Sequence, residues 1–113
     1  MTREPVLPGY ERLAETLDTA LYQAQSGKGR ERHANDKPFM QQPIMEICRM
    51  VGPGFALGQA IKKAQESTRL PGHGAKVREL LGAINYLAAA VMLIEEQRTA
   101  EMIEEDNRAD IGR

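Results

Sequence analysis

Tryptophan is absent, aromatic residues make up 4% of the 113-residue chain, and there is one cysteine. Sheets favour aromatic and β-branched side chains, and Ala, Leu, Met and Ile dominate instead, so an all-α fold is expected and no segment calls for a strand. A single thiol excludes an internal disulfide. Cys48 falls between Ile47 and Val51 on a helical stripe and reads as an inert core thiol. The two histidines, His33 and His73, sit in different connecting segments, and with one cysteine they match no zinc-ligand spacing. Ser26 and Ser67 have no histidine and carboxylate placed to activate them. No catalytic residue, metal or cofactor is therefore expected. The start of the chain lacks the charged, apolar and small-residue order of a signal peptide, which points to the cytoplasm. A formal net charge of −1 disfavours a DNA or RNA polymer as partner, because such domains are usually basic overall.

No uncharged apolar run reaches the roughly 20 residues needed to cross a bilayer, so no membrane partner is expected. The longest run is LLGAINYLAAAVMLI, residues 80–94, closed by Glu79 and Glu95. Its apolar positions surround the helix rather than forming one stripe, so protein must cover it on more than one side. One domain spanning 1–113 is too small to supply all of those walls, and some are expected to come from further copies of the chain. Asn85 is the one strongly polar residue in the run. An unpaired amide in a dry core costs about 1–3 kcal/mol, so Asn85 needs a partner, such as one that fixes helix register between copies.

An extended lead-in over residues 1–8 carries Pro5 and Pro8. Tyr10, Leu13, Leu17, Leu21 and Ala24 then recur at helical spacing, with Glu11, Glu15 and Asp18 on the other face. Residues 26–39 have glycines, a proline and no apolar period, which makes a long loop that Phe39 pins to the core. Pro43 suits the first turn of a second helix whose inner face is Ile44, Ile47, Cys48 and Val51, and Gly-Pro-Gly at 52–54 stops it. A third helix over 55–67 is expected to bury Leu57, Ala60, Ile61 and Ala64. LPGHG at 70–74 then permits an antiparallel helical hairpin with a long helix from about residue 75. That helix carries one stripe of Val77, Leu80 or Leu81, Ile84, Leu87, Val91 and Ile94, and a second face of Ala83, Tyr86, Ala90 and Leu93. It is expected to reach about residue 105, leaving 106–113 as a frayed tail.

Charge is divided along the chain: both ends are acidic, while 26–39 and 60–80 are basic. In the first basic segment, Gly27 and Gly29 free the backbone to aim N–H groups at an anion, and Lys28, Arg30, Arg32 and His33 add cationic donors. It is not a P-loop, since GxxxxGK[ST] is missing. Tyr10 could stack on a base, and Gln59, Lys62 and Lys63 form a polar face on the third helix. Each has a plainer reading, as a core cap or as solvated charge. Carboxylate metal ligation has little support: Glu101 and Glu104 make one ExxE, Glu95 and Glu96 are adjacent, and Glu11 and Glu15 form the only other pair.

The Gly/Lys/Arg segment SGKGRERHAN, followed by FALGQAIKKAQES and VRELLGAINYLAAAV, resembles small helical-hairpin proteins that bacteriophages encode to counter CBASS and Thoeris defence. The resemblance implies a homo-oligomer, often a hexamer, that sequesters a cyclic di- or oligonucleotide or a cyclic ADP-ribose signal without cleaving it. It implies Tyr10 as the stacking group and Lys28 as the phosphate contact, with Arg30, Arg32 and His33 as further donors. The alanine-rich late helix is also similar to that of phage dATP/dGTP diphosphohydrolases, which would imply nucleoside triphosphate pyrophosphatase activity. A purely structural oligomer is the third possibility.

Overall fold

A computed structural model of the chain describes residues 5–26 and 37–111, and these are helical with no strand. Four α-helices follow in order, α1 Glu11–Ser26, α2 Pro43–Val51, α3 Gly54–Ser67 and α4 His73–Ile111, with a 3-10 turn Phe39–Gln41 leading into α2. Helix α4 is 39 residues long. At 1.5 Å per residue it spans about 58 Å, which accounts for the longest dimension of the molecule, 63 Å. The other helices pack along it. By length and composition alone α4 could also cross a membrane.

Local chemistry explains each boundary. The Glu11 carboxylate accepts a hydrogen bond from the Gly9 N–H, which favours a helix start at that point. Pro43 occupies the first turn of α2, where its missing N–H is no loss. Gly52 ends α2 at φ +92°, a conformation open to glycine, and donates its N–H to the Cys48 carbonyl. The Lys76 ammonium reaches back to the Ser67 and Thr68 carbonyls, neutralising the negative end of α3. Helix α4 runs past the expected stop near residue 105. The sequence there is rich in helix-forming Glu, Met and Arg, and Arg108 lies one turn from Glu104 at 3.9 Å.

The buried apolar residues are Ala20, Met45, Cys48, Ala56, Ala60, Leu81, Ala83, Ala89, Ala90 and Leu93. Six of the ten are alanines, and the largest fully buried side chains are Met45, Leu93 and Cys48. Phe39, Met40, Ile44, Phe55, Tyr86 and Met92 close around the central cluster. Two expected faces are corrected by this packing. In α2, Met45 and Cys48 are buried, whereas Ile47 and Val51 are exposed. In α3, Ala56, Ala60 and Ser67 turn inward, whereas Leu57, Ile61 and Ala64 stay at the surface.

Helix α4 divides between its two expected apolar faces. Its face of Ala83, Ala90 and Leu93 is buried, while Val77, Leu80, Leu87, Val91 and Ile94 are exposed. Leu13, Leu17 and Leu21 of α1 are exposed as well, and α1 meets α4 through Ala20. The Asn85 amide donates to the Ala20 carbonyl at 3.0 Å. Its partner is therefore in the same chain, and the expected role between copies is replaced by one that holds α1 on α4.

Arg49 ties the other side together. Its guanidinium meets the Glu96 carboxylate with both arms, at 2.9 and 3.1 Å, and also donates to the Met40 carbonyl. The hydrogen bond from Arg49 holds the Glu96 carboxyl below its ordinary range, and Glu96 raises Arg49 in return. A depressed carboxyl value stabilises the fold above the ordinary value of 4.5, and that contribution vanishes as pH falls through the lowered one. The stability gap between wild type and Glu96→Gln, followed by urea midpoints, should therefore be open at neutral pH and close on acidification. Leu93 is 1% exposed and Met50 81% exposed. Leu93→Ala should cost about 3 kcal/mol in denaturant unfolding. Met50→Ala should stay within about 0.5 kcal/mol.

Candidate functional site: a cleft between the helices

A cleft of about 970 Å³ opens where α1, α2, α3 and α4 face one another. Three of the chain's five aromatic residues, Phe39, Phe55 and Tyr86, line it. Scarce rings gathered in one place give the cleft a polarisable apolar wall. Phe55 and Tyr86 meet edge to face, with centroids 6.1 Å apart and planes at 79°. Lys63 and Arg78 supply cations, and Gln23, Gln42 and Asn85 supply amides. A neighbouring hollow of about 650 Å³ shares Phe39, Gln42 and Asn85.

Lys63 is placed by both α3 and α4. Its ammonium lies 2.6 Å from a Glu79 carboxylate oxygen and 5.9 Å from the centre of the Tyr86 ring. The stem passes close over Gly82, where an added Cβ would stand 3.2 Å from the Lys63 Cδ and displace it by a few tenths of an ångström. Both charged groups are partly shielded, at 30% and 21% side-chain exposure. Glu79 fixes Lys63 in the cleft wall but takes only part of its capacity, since an ammonium has three donors. Arg78, one position earlier on α4, makes no side-chain hydrogen bond or ion pair among the described residues. Its backbone carbonyl accepts from Gln23, which clamps α1 to the cleft rim.

The sequence-selected residues separate. Lys63 lines the cleft, but Gln59, Lys62 and Tyr10 do not. Lys62 is exposed and lies near Glu66 on its own helix at 4.0 Å, while Tyr10 precedes α1 and is exposed. Lys28, Arg30, Arg32 and His33 lie outside the described residues. The described residues flanking that segment, Ser26 and Lys37, line the second hollow, and Ser26 also lines the first. Phe39, Phe55, Arg78 and Tyr86 were not singled out as a site. Their joint signal was the scarcity of aromatics, but only the fold brings positions 39, 55 and 86 together.

Chemically, rings beside cations and amides suit a ligand with a flat or apolar body and an anionic group. Among the described residues, no three His, Cys, Asp or Glu side chains gather where they could hold a metal ion. No protein-family model, curated protein or solved structure matches this chain.

The Lys63–Glu79 pair should be coupled. Lys63→Met leaves a shielded carboxylate without its cation, and a loss of about 1–3 kcal/mol is expected. Lys63→Met combined with Glu79→Gln should recover part of that loss, as a double-mutant cycle by thermal or urea unfolding would show.

Proposed function

We propose that this protein binds a small phosphorylated nucleotide-type ligand in the cleft and holds it without chemical change. The observation that carries this is the meeting of Phe55, Tyr86, Lys63 and Arg78 around one opening. A base would lie against the rings, and phosphate would take hydrogen bonds from Lys63 and Arg78, with the cleft amides reading the rest. Lys28, Arg30, Arg32 and His33 remain part of the proposal as additional phosphate donors, and Tyr10 as an accessory ring. Gln59 and Lys62 would act only as long-range positive and polar surface.

The resemblance to phage helical-hairpin proteins supplies the physiological side. In that setting the ligand is a cyclic di- or oligonucleotide or a cyclic ADP-ribose signal, captured in the cytoplasm of a bacterial host by a homo-oligomer, so that anti-phage signalling fails. The α3–α4 pair would correspond to the hairpin of those proteins.

The test is incubation of the full chain with linear and cyclic nucleotides, with and without magnesium, followed by heat denaturation and chromatography of the released small molecules. Recovery of an intact retained nucleotide is expected. Lys63→Met and Arg78→Met should each weaken its binding by about tenfold, the equivalent of one charge-assisted hydrogen bond. A cleaved product would overturn sequestration in favour of a pyrophosphatase, and absence of any retained nucleotide would overturn ligand binding altogether.

A further inference from the structure

Helix α4 leaves most of a regular apolar stripe uncovered, with only Ile84 half-buried along it. Val77, Leu80, Ile84, Leu87, Val91 and Ile94 follow one another at intervals of three, four, three, four and three, the spacing of a coiled-coil seam. Along it Leu87 is 47% and Val91 60% exposed, whereas the alanine side of the same helix is buried. The accessible surface of the chain is 8892 Å², against roughly 6,200 Å² for a compact monomer of this mass. Even a third of that excess equals the about 800 Å² that one partner hides in an ordinary stable interface. The radius of gyration is 17.3 Å, against about 13 Å for a compact domain of this length.

We infer that this stripe is the seam of a two-fold pair, in which α4 of a second copy lies antiparallel against it. The inference rests on the self-association in the proposal above but not on its ligand. Large side chains meet large ones in either orientation, and one feature selects the antiparallel one. In that orientation the stripe pairs about the point between residues 85 and 86. The antiparallel register thus sets Val77 level with Ile94, Leu80 with Val91, and Ile84 with Leu87, large side chain against large side chain. One helical step beyond Ile94 the stripe meets Arg98, which a parallel pair would set against its own copy inside the seam. The antiparallel pair puts these two cations at opposite ends.

Leu80→Cys and Val91→Cys test this, since both positions are exposed and Cys48 is fully buried. The two variants are prepared separately, checked for helicity, and oxidised mildly alone and mixed, with no nucleotide present. The expected result is a covalent dimer that forms strongly only in the mixture. Ready cross-linking of either variant alone would overturn the antiparallel register. Failure of every sample to cross-link, with a wild type that sediments as a monomer or partitions into phosphatidylcholine vesicles, would overturn the second copy as the occupant. None of these outcomes depends on the cleft, so loss of nucleotide binding and loss of pairing are read separately.

Discussion

The predominance of alanine among the buried residues constrains the rest of this structure. Ala20 of α1, Ala56 and Ala60 of α3, and Ala83, Ala89 and Ala90 of α4 are six of the ten buried apolar residues, beside Met45, Cys48, Leu81 and Leu93. Burying alanine removes far less apolar surface from water than burying leucine, at roughly 25 cal/mol per Å². A chain that spends its interior on alanine and keeps Leu13, Leu17, Leu80 and Leu87 outside gains only part of the hydrophobic stabilisation available to it. The remainder becomes available when another surface covers those leucines. Intramolecular packing and outward apolar character thus follow from one choice of residues.

The same packing shapes the cleft. Lys63 passes close over Gly82 to reach Glu79, and the ion pair holds the cation beside Tyr86. Asn85 and Gln23 each spend a side-chain amide on a backbone carbonyl across the α1–α4 contact. These bonds fix the rim against which the aromatic residues stand. Arg49 does similar work at the far side, joining α2 and the 3-10 turn to Glu96 on the outer half of α4. Polar contacts therefore add fixed points to helices that also pack through the apolar cluster around Met45 and Leu93.

Helix content and the main boundaries were legible in the sequence, because apolar spacing, Pro43 and Gly52 act locally. Which face of each helix turned inward was legible only in part. Periodicity marked Leu57, Ala60 and Ile61 of α3 as core, and of these Ala60 is buried, with Ala56 beside it, while Leu57 and Ile61 are exposed. Hydrophobic spacing marks a stripe without saying what covers it, and here the strongest stripes lie outside the chain's own core. The candidate site was legible only at Lys63. Arg78 looked like any solvent-facing helix cation, and Phe39, Phe55 and Tyr86 converge only after three helices have packed. Asn85 was recognised as a residue in need of a partner, but an acceptor 65 positions away could be found only from the fold.

The central claim is that large apolar side chains lie outside the chain's own core because another copy covers them. Sedimentation equilibrium of the wild-type chain across a wide concentration range measures this most directly. The account predicts a particle of at least twice the 12.6 kDa chain mass that dissociates on dilution with loss of stability. A fully helical monomer whose mass and unfolding midpoint do not change with concentration would contradict it.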